Sequence, residues 1–222
     1  MQASSRIIKI ILISIGLTGC LDLAPSDRAA KARHIARGNA PYRTGQVYVM
    51  RGLGGLFSLG MNRLENTLET DYQVQTHGSI WYKTNNVSAY IIKQYQTERK
   101  HEPIILVGHS LGANEQIKVA RNLERAHIPV EFLLTVDAVS PITVPVNVKY
   151  AYNLYKPGIV PMLSGLKLRA DDPEFTHIEN VNVSEKFKTS YMNHFTIDKH
   201  SNTQELMVQK IMDVINHDSK TA

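Results

Sequence analysis

In 222 residues the chain has one cysteine, Cys20, and one tryptophan. A lone thiol has no partner within the chain, so no internal disulfide staples the fold. Paired-cysteine zinc sites are excluded too. No His-x-x-x-His spacing offers another ligand set, so the sequence implies no metal centre. Gly52-Leu53-Gly54-Gly55 lacks the third glycine of a dinucleotide-binding fingerprint, and no cofactor is implied. Aromatics are 7% of the chain and do not interleave with a basic cluster, which argues against nucleic acid as a partner. Long apolar runs are also missing. The longest, residues 10–17, is too short to span a bilayer, which takes about 20 residues.

That run is nevertheless informative. Arg6 and Lys9 precede and border it, and it ends in small residues, the pattern of an export signal. It stops at Leu17-Thr18-Gly19-Cys20, which resembles the lipobox of bacterial lipoprotein precursors. The resemblance implies a signal peptide over 1–19, a mature chain that begins at a lipidated Cys20, and anchoring to a membrane through several acyl chains. Lipidation also accounts for a thiol left unpaired in an exported protein. Leu21 follows the cysteine, which by the enterobacterial sorting pattern favours the outer membrane, facing periplasm or exterior. Arg6 and Lys9 leave with the signal and no acid does, so the formal +5 falls to +3. Residues 20–40, with Pro25, Ser26 and mixed Arg, Lys and Ala, read as a tether. Residues 41–222 are the size of one domain, and 43% apolar content supplies a core.

Within that domain strands alternate with helices. Strands are expected at 46–50, 72–75, 104–107, 131–137, 146–155 and 178–183, and helices at 62–70, 87–100 and 113–125. A closing helix is marked by Ser201 and Gln204 in capping-box spacing, with Met207, Ile211, Val214 and Ile215 at helical spacing. Residues 157–173 lose periodicity and read as an ordered loop whose apolar residues are candidates for a wall against substrate. The alternation predicts an α/β fold with a mainly parallel central sheet flanked by helices. Residues 138–145 are too few for a large cap domain. In such sheets chemistry collects at the carboxyl ends of the strands, which puts Arg51 to Gly55, Ser110 and Asp137 on one edge.

The most informative stretch is Ile104-Ile105-Leu106-Val107-Gly108-His109-Ser110-Leu111-Gly112, a buried strand running through Gly-x-Ser-x-Gly into an amphipathic helix. A tight strand-to-helix turn leaves no room for side chains two positions either side of the serine, so Gly108 and Gly112 fit the requirement. A serine hydroxyl is a weak nucleophile and needs a base within hydrogen-bond reach, itself oriented by a third group.

These features resemble the α/β-hydrolase superfamily, specifically its small lipase-like and thioesterase-like serine hydrolases, over most of residues 46–217. The resemblance implies a catalytic triad in the order serine, acid, histidine. Ser110 is the nucleophile, and Asp137, ending the strand at 132–136, is the best-matched acid, with Asp171 and Asp172 as alternatives. His194, after the last strand and before the closing helix, is the matched base, with His200 the rival. His34, His77 and His101 precede the serine, His127 precedes the acid strand, and His109 points away from the nucleophile by its place in the turn. Leu111 and Leu53 would offer the oxyanion-hole amides, Leu53 from a loop where Arg51 replaces the usual histidine. Arg51 reads as solvated or internally paired rather than as a binder of an anionic substrate. The activity implied is cleavage of a carboxylic ester, small or lipid, through an acyl-enzyme on Ser110. A thioesterase, an acyltransferase and a non-catalytic envelope-binding lipoprotein are the alternatives.

Overall fold

The structure, a computed structural model, describes residues 41–53, 58–160, 163–189 and 191–221. The signal expected at 1–19, the tether with Cys20 at 20–40, and Gly54 and Gly55 lie outside the described residues. The apolar runs form β1 (Arg43–Arg51), β2 (Val74–Ile80), β3 (Ile104–His109), β4 (Val130–Val136), β5 (Val148–Tyr155) and β6 (His177–Asn182). They lie in one sheet in the order β2-β1-β3-β4-β5-β6, and every neighbouring pair is parallel. Parallel neighbours need crossover connections, and helices supply them. These are α1 (Leu59–Thr70), α2 (Thr84–Thr97) and α3 (Leu111–Arg125), followed by the short α4 (Val183–Phe187) and the closing α5 (Ser201–Thr221).

Both faces of the sheet are buried, which is why its central strands are apolar almost throughout. Val47, Val49, Ile105 and Val107 pack with Met61, Leu64 and Leu68 of α1 and Met207 and Ile211 of α5. Their neighbours Tyr48, Met50, Ile104 and Leu106 point the other way, onto Ile91 of α2 and Ile117, Ala120 and Leu123 of α3. The chain moves outward from β1 to β2, then returns past β1 to β3. The strand order therefore reverses between β1 and β3, and the crevice at their carboxyl ends is where such sheets bind ligands.

Two expectations change. The second strand runs from Val74 to Ile80, well past residue 75, pairing residue by residue with the end of β1. Its polar stretch hid it, and Gly78 serves a neighbour: a Cβ there would lie 2.4 Å from Glu65 Oε2 of α1. The capping box is the second. Gln204 does not turn back on Ser201, which lies inside α5; its side-chain amide donates to the carbonyls of Gly60 and Asp198. Those buried carbonyls need a donor, and satisfying them outweighs a cap at an exposed helix end.

Residues 163–173 have no helix or strand, and side-chain amides hold them in place. Asn153 of β5 donates to Leu166 O (2.8 Å) and to Asn180 Oδ1 (2.8 Å). Asn180 in turn accepts from Leu168 N and donates to Leu168 O. Val144 also bridges to Ala170 in parallel fashion.

Candidate active site

The turn between β3 and α3 is held by close contacts. A Cβ on Gly108 would lie 2.5 Å from Gly112 O, and one on Gly112 would lie 2.3 Å from Met50 O. Both glycines are therefore needed, one for the turn and one for the approach of α3 to β1. Ser110 sits at the apex with φ 59° and ψ −126°, a backbone state that costs about 1–3 kcal/mol in a non-glycine residue. Its amide is held by Val136 O at 2.9 Å. The fold is that of an α/β hydrolase.

Ser110 Oγ lies 2.8 Å from His194 Nε2, and His194 Nδ1 lies 2.9 Å from Asp137 Oδ2. A carboxylate only accepts, so His194 carries its hydrogen on Nδ1; Nε2 then accepts from the serine hydroxyl. The three side chains form one directed hydrogen-bond chain. All are buried, Asp137 completely. Asp137 follows β4 with φ 52°, and its other oxygen accepts from Lys156 N at 2.7 Å. Gly165 closes over it, since a Cβ there would lie 2.0 Å from Asp137 Oδ1.

The alternatives fall elsewhere. Asp171 bonds Arg121 of α3 at 2.7 Å, and that guanidinium holds its carboxyl below the usual range. Asp172 accepts from Glu174 N in a local turn. His200 stacks on Phe187, and its Nδ1 is buried with no hydrogen-bond partner.

A cleft of about 200 Å³ opens on Ser110 and His194, lined largely by Leu53, Leu111, Val139, Leu163 and Phe195. Residues 52–53 reach it because a Cβ on Gly52 would lie 2.9 Å from both His109 O and Ser110 Cβ. Leu53 and Leu111 thus flank the nucleophile. Of the apolar residues in the loop after β5, Leu163 lines the cleft, whereas Ile159 and Val160 face solvent. Arg51 is not solvated; it is buried and partnered within the chain. A larger groove of about 390 Å³ runs between Trp81 and α3, but its cations are engaged, Lys118 with Glu115 and Arg121 with Asp171. Among the described residues no cluster of His, Cys, Asp and Glu could hold a metal ion.

Three residues at the site carried no signal in the sequence reading. His109 does not point away from the site. It is buried behind His194, with Nδ1 2.8 Å from Ser58 Oγ and Nε2 3.0 Å from His194 O. Burial, with His194 beside it, pushes its pKa down to about 3. Ser58 also accepts from Gly52 N. Asp198 is fully buried and accepts from Gly60 N at 2.9 Å, and burial pushes its carboxyl up to about 6. Asn114 is a fourth unforeseen support: it accepts from the amides of Val139 and Ser140 and donates to Ser140 O, fixing the loop after β4 to α3.

No protein-family model matches the chain, and no curated protein does. Among solved structures it is similar to the NocB thioesterase domain of the nocardicin cluster, with 15% identity, 76% of this chain and 94% of that one covered, and a TM-score of 0.47. It is also similar to the type II thioesterase BorB of the borrelidin cluster, with 12% identity, coverage of 79% and 95%, and a TM-score of 0.48. A Trichoderma reesei cutinase in complex with a phosphonate inhibitor matches at 13% identity, with coverage of 91% and 98% and a TM-score of 0.36. These are likenesses of fold alone.

Proposed function

We propose that this protein is a serine hydrolase that cleaves carboxylic esters through an acyl-enzyme on Ser110. The observation that carries the reading is the unbroken chain from Ser110 Oγ through the His194 ring to Asp137 Oδ2, opening on an apolar cleft. Ser110 Oγ attacks the ester carbonyl carbon while its proton passes to His194 Nε2. Asp137 keeps the ring in the required tautomer and stabilises the imidazolium. The amides of Leu53 and Leu111 bind the developing oxyanion. Collapse of the tetrahedral intermediate breaks the ester C–O bond, and the departing alkoxide takes the proton from His194. Water then attacks the acyl-serine, giving its proton to His194, which returns it to Ser110 as the acid leaves. Leu163, Val139 and Phe195 offer the acyl group an uncharged surface.

Labelling with a fluorophosphonate probe tests the nucleophile. The expected result is stoichiometric modification that disappears in Ser110→Ala; a wild-type protein that stays unlabelled, or a variant that labels equally, ends the reading. Matched oxygen esters and thioesters of graded acyl length then rank substrates, because the same acyl-serine serves both.

The sequence before the domain supports a second part of the proposal, export and anchoring through a lipidated Cys20 to the bacterial envelope. Cys20→Ser is expected to release the protein from the membrane fraction with its esterase activity intact. Retention of the variant in membranes removes the anchor.

A further inference from the structure

The residues behind the triad form a second hydrogen-bond chain in which every hydrogen has one place. His194 O accepts only, so His109 carries its hydrogen on Nε2. Burial keeps that ring neutral, which leaves Nδ1 as an acceptor. Ser58 Oγ–H must then donate to Nδ1, and the lone pairs of the same oxygen take the Gly52 N–H at 3.1 Å. The chain runs Gly52 N–H to Ser58 Oγ–H to His109 Nδ1, and from His109 Nε2–H to the carbonyl of His194. One end lies a single residue from Leu53, and the other is on the backbone of the proposed base.

Ser58 makes these bonds in place of its usual one. It occupies the N-cap of α1, where a serine side chain normally accepts from a first-turn amide for about 1 kcal/mol, yet its side chain makes no cap bond. Asp198 does that work instead, through Gly60 N. The carboxylate is 3.9 Å from His109 Nδ1, beyond hydrogen-bond range, so it does not compete with Ser58 for the ring.

We infer that His109, joined to Ser58, is a positioning residue that sets the oxyanion loop after β1 and the His194 backbone relative to one another. This rests on the esterase reading for its effect on rate, though not for its geometry. The two links separate by substitution. His109→Asn keeps an acceptor near Nδ1 and loses the donor to His194 O, whereas His109→Gln keeps a donor near Nε2. Ser58→Ala removes the bonds to Gly52 N and His109 Nδ1 together and leaves the His109 Nε2–H on His194 O in place.

Two readouts are taken on folded variants: p-nitrophenyl ester kinetics, and the downfield Nδ1 proton resonance of His194 that its bond to Asp137 produces. His109→Asn is expected to lower kcat about 10²-fold with little change in KM, and to broaden or remove the His194 resonance. His109→Gln is expected to restore the resonance and most of kcat. Ser58→Ala is expected to lower kcat about 10-fold while leaving the resonance in place. An unchanged His194 resonance in His109→Asn overturns the inference, whether or not the wild type turns over. A wild type without turnover sinks the esterase reading alone. Should His109→Asn fail to fold, Ser58→Ala decides on an active wild type: full kcat in that variant also overturns the inference.

Discussion

Two buried histidine–aspartate pairs lie side by side in this protein, their imidazoles 5.2 Å apart, and they are built to opposite ends. In the first, His194 Nδ1 and Asp137 Oδ2 are 2.9 Å apart, and the second carboxylate oxygen takes the Lys156 amide. In the other, His109 Nδ1 and Asp198 Oδ2 stand at 3.9 Å, and Asp198 Oδ1 has no partner. One ångström separates a hydrogen-bonded pair from one that is not bonded. Burial pushes the Asp198 carboxyl up and the His109 imidazole down, so each is held toward its neutral form. The first pair can stabilise a proton arriving from Ser110, while the second leaves His109 free to receive Ser58 and hold His194 in place.

The comparison breaks most sharply at the carboxylates. Asp137→Asn is expected to reduce kcat about 10⁴-fold, because the amide favours the wrong tautomer of His194. Ser110→Ala removes the nucleophile and loses about 10⁶. Asp198→Asn, of the same chemistry, should leave kcat within a few-fold of wild type. Steady-state ester hydrolysis on the three variants decides this; comparable losses in Asp137→Asn and Asp198→Asn erase the distinction drawn here.

Each aspartate also has a glycine whose missing side chain makes room for it. A Cβ on Gly165 would lie 2.0 Å from Asp137 Oδ1, and one on Gly60 would lie 2.1 Å from Asp198 O. Both alanine variants should destabilise the fold by about 1–3 kcal/mol through overpacking. Only Gly165→Ala displaces the triad acid, so it should also lose about 10²-fold in kcat, against a smaller loss for Gly60→Ala. Thermal melts beside kinetics read both effects, and equal kcat losses would argue that the two glycines serve one site.

How much of this was legible in the sequence follows from how local each feature is. The serine turn is local: the limits on Gly108 come from Gly112 and Ala113, within five residues, and a buried strand precedes it, although Gly112 is limited by Met50 and Arg51 of β1. Asp137 stands where a strand ends, and the serine–acid–histidine order that the superfamily resemblance implies left few histidines. Ser110, Asp137 and His194 could therefore be named as the best match, with Asp171, Asp172 and His200 open until the fold separated them. The second pair could not. Ser58 meets His109 across 51 positions, and His109 meets the His194 carbonyl across 85, with no periodicity to mark either contact. Gln204 looked like a helix cap, and Asp198 carried no mark at all, because the buried carbonyls and amides that claim them are visible only in the fold. The second strand was missed in part for a related reason: its backbone pairing, not its polar side chains, makes it a strand.

The pairs also respond differently to pH. A carboxyl whose folded pKa lies above its unfolded one holds its proton more tightly in the folded state. Asp198 therefore favours the fold most below about pH 4 and loses that contribution as pH rises through about 6. His109 has the opposite sign: its folded pKa is depressed to about 3, so stability falls as pH drops below about 6.5. Between these limits the two slopes oppose one another. Denaturant unfolding of Asp198→Asn and wild type should show the difference moving in the variant's favour by about 2–3 kcal/mol from pH 4 to pH 8. A difference that stays flat across that range means that Asp198 is ionised without penalty.

The smallest effect expected comes from a third acid, at the surface. Asp171 is about a third exposed and bonds Arg121, with Glu124 also within 3.8 Å of that guanidinium. An exposed pair of this kind contributes about 0–1 kcal/mol, and Arg121 keeps further bonds to Thr143 when Asp171 is neutralised. Asp171→Asn should therefore shift the unfolding free energy by less than about 1 kcal/mol and leave ester hydrolysis unchanged. Asp171 has no histidine within reach of its carboxylate among the bonds it makes, and that, rather than its place after the fifth strand, is what separates it from Asp137. A kcat loss in Asp171→Asn comparable to that in Asp137→Asn would move the orienting acid to the loop after the fifth strand and leave the contrast between the two buried pairs without its catalytic half.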